Sequence, residues 1–234
     1  NSFEQIKVTP RRRVDNNKRY RDTRHTVNLL PFYNINRSTV YNQSPYDETL
    51  VIDVDYLICN DTLNAVWDHK EDLLINRKSF DLLAGRHDTS FERVDDFGID
   101  FYWATAFYFR KSEETQIFFN LLEAIKANYP YFKTLYGITS YNFRNDHAFS
   151  IAVHMFNGFA KSRLVKNLPV DFLQHTLDYD ELHNIDSKGS LSFLLEKTSE
   201  PGKFIPARTD GVNVHVMNKY SLVRQSKKIV EMYR

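Results

Sequence analysis

Short apolar runs bounded by turn-forming residues alternate along the chain with stretches of helical periodicity. Residues 50–59 read Leu-Val-Ile-Asp-Val-Asp-Tyr-Leu-Ile-Cys between Ser44-Pro45-Tyr46-Asp47 and Asn60-Asp61, the pattern of a buried strand. Alternation puts Leu50, Ile52 and Val54 on one face and Val51, Asp53 and Asp55 on the other. Residues 101–109 are apolar on both faces and predict a central strand. A last strand is expected over 212–217, with Val212, Val214 and Val216 opposite Asn213, His215 and Met217. Ser112 should cap a helix whose buried stripe is Ile117, Phe118, Leu121, Leu122 and Ile125, stopped by Pro130. A second helix is predicted over 146–157, capped by Asn145 and ended by Gly158, with Phe149, Ala152, Val153 and Phe156 inward. A basic amphipathic helix over 220–233 carries Leu222, Val223, Ile229, Val230 and Met232.

Weaker signals fill the gaps. A short strand is expected around Ile6 and Val8, a weak helix over 32–42, and a short helix over 61–67 with Leu63, Val66 and Trp67 inward. Residues 161–203 read as short segments and polar loops. Strands interleaved with helices predict an α/β layered domain.

The 234 residues, 42% hydrophobic and 15% aromatic, suffice for one sizeable core, so 1–234 is read as a single domain. The net charge of +1 does not by itself indicate a polyanion partner, but Arg11-Arg12-Arg13, Lys18-Arg19 and Arg21 concentrate positive charge in a loop or arm over about 10–26. Such a run is a solvated face or a site for phosphate. The single cysteine, Cys59, cannot form an internal disulfide, which favours a reducing, cytoplasmic setting. No apolar run reaches the roughly 18 residues of a membrane helix.

Two carboxylates inside an apolar run are the main chemical signal, because burying an ionised carboxylate alone costs several kcal/mol. Asp53 and Asp55 should therefore lie at a strand end facing a cation, unless they only cap a loop. Their Cα atoms would be roughly 6.6 Å apart in regular strand, wide for joint direct ligation of one ion. Asp55 is then the direct ligand, and Asp53 reaches a ribose hydroxyl or a metal-bound water. His215 on the polar face of the last strand would complete a set suited to manganese or magnesium. Lys219 nearby would neutralise charge growing on a diphosphate leaving group. Asp146, at a helix start beside Arg144, either complements the helix dipole or serves in a cleft, binding sugar hydroxyls or acting as general base. Arg144 would orient it or bind phosphate.

Residues 44–55, Ser-Pro-Tyr-Asp-Glu-Thr-Leu-Val-Ile-Asp-Val-Asp, resemble the segment through the Asp-X-Asp motif of GT-A glycosyltransferases, the nucleotide-diphospho-sugar transferase fold. The 103–109 strand, Arg144-Asn145-Asp146-His147-Ala148-Phe149 and Val214-His215-Val216-Met217-Asn218-Lys219 follow in the order seen in such enzymes, particularly phage-encoded ones. The resemblance spans about residues 33–219. It implies a single GT-A-like, Rossmann-like mixed sheet flanked by helices. It also implies Asp55 and His215 on the metal, Asp53 on the ribose or the metal, Lys219 on the diphosphate and Asp146 near the donor sugar. The family's opening strand and base cradle have no counterpart upstream of Phe3, so either an N-terminal strand is expected to be missing or the base is held differently. The late segment also departs from the histidine-glycine-lysine signature of glycogenin-like members.

The expected activity is transfer of a sugar from a nucleoside diphosphate sugar to a hydroxyl acceptor. Hydroxymethylated DNA is one acceptor compatible with the basic segment, and a saccharide or protein hydroxyl is another. The rivals are a sugar nucleotidyltransferase, which would normally want a glycine-rich phosphate loop, and a non-catalytic nucleic-acid-binding protein using the arginines and tyrosines.

Overall fold

Aromatic side chains build the larger of two cores. Phe107, Phe109, Phe118, Phe119, Phe149 and Trp103 are all buried, and rings such as Phe107 and Phe149, 4.8 Å between centroids, pack at tilted angles. Each such side chain contributes about 1.5–3 kcal/mol by leaving water. The computed structural model describes residues 16–86, 92–94, 98–160, 165–170 and 173–233. The strand expected around Ile6 and Val8 lies outside these.

The chain opens, among the described residues, with a hairpin of β1 (Asn17–Arg21) and β2 (Val27–Pro31). The basic segment from 17 to 21 is therefore strand, not the expected loop. Lys18 and Tyr20 alternate with the more exposed Asn17 and Arg19, and antiparallel pairing with β2 satisfies the backbone. A 3-10 turn (Arg37–Thr39) runs into α1 (Val40–Gln43), the weak helix expected there.

β3 (Glu48–Ile52), β5 (Leu73–Ile75) and β7 (Ala106–Arg110) form an antiparallel sheet with β7 in the middle. A second, mixed sheet has the order β4 (Tyr56–Leu57), β12 (Val214–His215), β8 (Leu173–His175) and β6 (Ser79–Asp81). There β12 runs antiparallel to β4 and parallel to β8. A third sheet pairs β9 (Glu181–Ile185), β10 (Leu191–Glu196) and β11 (Phe204–Thr209) in antiparallel register. The fold is mixed α/β, as expected, but its strands divide among several sheets instead of one.

The helices follow their caps. α2 (Glu113–Ala127) begins with a capping box in which Ser112 and Thr115 exchange side-chain bonds with each other's backbone. Its buried stripe is Phe118, Phe119, Leu122 and Ile125, while Ile117 faces outward, so the apolar face is rotated from the expected one. α3 (Tyr129–Leu135) follows at once, with Pro130 in its first turn, where a missing N–H leaves no bond unmade. α4 (Asn145–Phe156) buries Phe149, Ala152 and Val153 against the large core. Asn145 does not cap it; its Nδ2 instead donates to the carbonyl of Asn34 at 2.8 Å. The expected C-terminal helix is two short ones, α5 (Lys219–Arg224) and α6 (Ser226–Met232), with Leu222, Ile229 and Met232 packed on the smaller core and Val223 and Val230 exposed.

That smaller core joins Leu57, Leu182, Ile185, Leu191, Phe193, Leu195, Val214 and Val216. It draws on β9 and β10, which lie in the region read as polar loop. Within β10 the buried Leu191, Phe193 and Leu195 alternate with the less buried Ser192 and Leu194, and the apolar Leu194 between them blurs the period-two signal. The short pair of β4 and β12 sits where the two cores meet, since Tyr56 belongs to the larger and Val214 to the smaller. Among the described residues, no helix is long and apolar enough to cross a membrane.

Candidate metal and phosphate site

The run 50–59 is not one strand. β3 ends at Ile52, and Asp53-Val54-Asp55 makes a tight turn in which the Tyr56 N–H donates to the Asp53 carbonyl at 3.0 Å. Val54 at its tip is fully exposed, which removes the alternation expected to put it inside. The turn is anchored from both sides. The Asp53 N–H donates to the Thr105 carbonyl at 2.8 Å, and the Val216 N–H donates to the Asp55 carbonyl at 2.9 Å. Regular strand would have held the carboxylates apart, whereas the turn brings them together.

Register then delivers the histidine. His215 lies opposite Tyr56 in the antiparallel pair and opposite His175 in the parallel one, so its ring reaches the residue before Tyr56. His215 Nε2 stands 3.1 Å from Asp55 Oδ2. Ligand atoms of Asp53, Asp55 and His215 all fall within 4.8 Å of one another. Burial pushes His215 down to about 4, which keeps its imidazole neutral near neutral pH. Its Nδ1 is buried with no hydrogen-bond partner among the described residues. Trp103 meets the ring edge-on with centroids 6.5 Å apart.

Two carboxylates and one neutral imidazole form a donor set that fits magnesium or manganese, with the nitrogen favouring manganese. Asp53, Asp55 and His215 would be the ligands, and an ion held there would supply Lewis-acid stabilisation to oxygens of a bound phosphate.

Cations already sit on these carboxylates. Lys219, the first residue of α5, forms an ion pair with Asp55 Oδ2, and Arg37 forms one with Asp53 Oδ1. Burial and the Lys18 ammonium pull Lys219 down to about 7, while pairing with Asp55 acts the other way. Arg37 also donates through Nη1 to the Ala104 carbonyl. Its guanidinium thus bridges the Asp-Val-Asp turn to the segment entering β7. Sequence reasoning missed Arg37 because a lone arginine in a weakly patterned stretch carries no spacing signal.

Asp146 completes the arrangement from α4. Its Oδ1 accepts from the Ala104 N–H at 3.0 Å and its Oδ2 pairs with Arg144 Nη2 at 3.1 Å. Burial would raise its pKa, but the Arg144 and Arg37 guanidinium groups and the Ala104 N–H outweigh it and hold the carboxyl below its usual range. The same helix explains why residues 101–105 are not strand as expected. Ser150 Oγ, one turn beyond Asp146, accepts from the Tyr102 N–H at 2.8 Å, and the Trp103 N–H goes to the Asn76 carbonyl at 2.8 Å. Backbone groups that a ladder would have used are bonded instead to α4 side chains and a neighbouring loop.

Asp53, Asp55, His215 and Lys219 are thus brought into one cluster. Asp146 and Arg144 join it through the Ala104 peptide, whose N–H binds Asp146 and whose carbonyl binds Arg37. No protein-family model, no curated protein and no solved structure matches the chain.

Proposed function

We propose that this chain is a metal-dependent glycosyltransferase of the GT-A type, moving a sugar from a nucleoside diphosphate sugar to a hydroxyl acceptor. What carries the reading is the convergence of Asp53, Asp55 and His215, from positions 160 residues apart, into one cluster contacted by Lys219 and Arg37, with Arg144 on the neighbouring Asp146. A divalent ion with surrounding cations is what a diphosphate leaving group requires, because charge accumulates on it as the glycosidic bond breaks.

In this reading Asp55 and His215 hold manganese or magnesium, with Asp53 on the ion or the donor ribose. Lys219 and Arg37, which pair with the same carboxylates, would supply the positive charge that meets the diphosphate oxygens. Asp146, kept ionised by Arg144 and the Ala104 N–H, accepts hydrogen bonds from hydroxyls of the donor sugar. A depressed pKa makes it a weak base, so binding suits it better than proton abstraction. The acceptor is a hydroxyl of a saccharide, a protein or hydroxymethylated DNA, the last supported by the basic residues of β1 and the segment before it.

The test is hydrolysis and transfer with a panel of UDP- and GDP-sugars, with and without Mn2+. Wild type should release nucleoside diphosphate only with the metal, and Asp55→Ala should not. Absence of turnover with every donor, together with equal nucleotide binding by wild type and Asp55→Ala, would refute the reading. Salt-dependent DNA binding that needs neither metal nor Asp55 would instead support a non-catalytic nucleic-acid binder.

A further inference from the structure

The three carboxylates of the site each hold one cation: Asp53 holds Arg37, Asp55 holds Lys219, and Asp146 holds Arg144. A fourth cation, Lys18, comes from the hairpin and is left over. Its ammonium lies 5.1 Å from the Phe32 ring centroid and 5.7 Å from that of Tyr20, and it makes no hydrogen bond or ion pair among the described residues. Lys18 is nevertheless half-buried, on the inward face of β1 with Tyr20. A partly desolvated ammonium held against ring faces, with the Asp178 and Asp146 carboxylates acting on it only from beyond ion-pair distance, lacks the contacting anion that would offset its lost hydration.

The hairpin is fixed across the site. At its base, Asn142 Nδ2 donates to the Asn17 carbonyl, and Asn16 Nδ2 donates to Asn34 Oδ1 at 3.1 Å, which ties it to the loop leading to Arg144 and Asp146. At its turn, Asn218 Nδ2 donates to the Asp22 carbonyl at 3.0 Å, Arg224 Nη1 contacts both Asp22 oxygens at 2.8 Å, and Asn28 Nδ2 donates to Tyr220 Oη at 2.6 Å. One end is therefore fastened beside Asp146 and the other beside Lys219. Lys18 lies between, and its charge is felt at Arg144, Asp146, His215 and Lys219.

We propose that Lys18 is a phosphate-binding residue of the donor site, presented by the β1–β2 hairpin as a roof over the diphosphate of a nucleoside diphosphate sugar. This rests on the glycosyltransferase reading above. Lys18 is the cation with no carboxylate to leave, so its contribution does not depend on rearrangement when metal binds. It should act on the phosphates and not on the nucleoside or the metal.

The experiment is calorimetric titration with UDP, GDP, uridine and guanosine in the presence of Mn2+, on wild type, Lys18→Met, Lys18→Arg and Asp55→Ala. Lys18→Met should weaken diphosphate binding at least about tenfold, the scale of a lost charge-assisted contact. It should leave Mn2+ uptake and nucleoside binding within about twofold, a contact to phosphate alone being its only loss. Lys18→Arg should restore most of the diphosphate affinity. In wild type, bound UDP or GDP with Mn2+ should protect Lys18 from amine acylation, read by mass spectrometry, which needs no variant to fold. Unchanged diphosphate affinity in Lys18→Met, or no protection while Asp55→Ala loses binding, would overturn the role of Lys18 and leave the transferase reading intact. Failure of wild type to bind either diphosphate would overturn both.

Discussion

Nε2 of His215 lies 3.1 Å from Oδ2 of Asp55, although 160 residues separate them in the chain. The contact depends on a pair of two-residue strands. Opposition of His215 to Tyr56 leaves Asp55 just beyond the ladder, with its carbonyl bound by the Val216 N–H. A slip of one residue would turn the imidazole to the other face.

Substitution within this pair should show in metal binding before it shows in folding. Asp55→Asn keeps the shape but removes the anion, and His215→Gln removes the nitrogen donor. Each should weaken Mn2+ binding by more than about 100-fold, beyond the 10–100-fold expected for a partner outside the ligand set. Titration of Mn2+ followed by electron paramagnetic resonance reads this directly. An unchanged affinity in either variant would remove that residue from the ligand set.

Arg37 joins Asp53 to the Ala104 carbonyl, so its loss leaves two acceptors unmatched. Arg37→Ala should destabilise the fold by about 2–3 kcal/mol, the cost of orphaning a half-buried carboxylate and a carbonyl. Arg37→Lys should recover only part of this, because a single ammonium lacks the fork that spans both sites. Urea unfolding midpoints of the two variants against wild type supply the comparison.

Acid should destabilise the protein through its buried histidines. Burial, with Arg144 adding to it, holds His147 down to about 4, and burial does the same for His215, against an ordinary value of 6.5. Between pH 6.5 and about 4 the unfolded chain binds these protons and the folded chain does not, so stability falls as pH drops through that window. Each group accounts for up to about 3 kcal/mol. His147 packs edge-on against Phe101 and lies 3.3 Å from Tyr129 Oη through Nδ1. His147→Gln should therefore flatten the pH dependence of the unfolding free energy over this range. A curve as steep as wild type would show that His147 does not titrate there.

Ser150 connects helix and strand entry by accepting from the Tyr102 N–H and donating to the Asp146 carbonyl at 2.6 Å. Ser150→Ala leaves a buried N–H without its partner and should cost about 1–3 kcal/mol. Thermal unfolding measures the loss. Ser150→Thr, which keeps the hydroxyl but adds a methyl in a fully buried place, should be destabilising for a different reason, overpacking.

The sequence carried the local rules well. Ser112 before Glu113-Glu114 marks a helix start because capping is a matter of adjacent residues, and the structure shows the cap. Phe107 and Phe109 announce a central strand because both faces are apolar. Long-range bonds were not legible. Nothing local says that Tyr102 and Ala104 will bond to Ser150 and Asp146 instead of to a neighbouring strand. The Asp-Val-Asp turn looked like strand because Val54 is apolar, yet that side chain is spent in solvent so that the flanking carboxylates can converge. His215 could be paired with the aspartates through its strand alternation, whereas Arg37, a lone arginine in a weakly patterned stretch, needed the tertiary arrangement to acquire meaning, and Lys18 was legible only as one member of a basic run.

The central claim is that Asp53, Asp55 and His215 bind a divalent ion that a nucleoside diphosphate then shares. Calorimetric titration of UDP and GDP into the wild-type protein, with Mn2+ and with excess chelator, tests it most directly. Saturable one-to-one binding of a nucleoside diphosphate that vanishes with chelator and with Asp55→Asn is the predicted result. Binding of equal strength with and without the metal, or none under either condition, would contradict it.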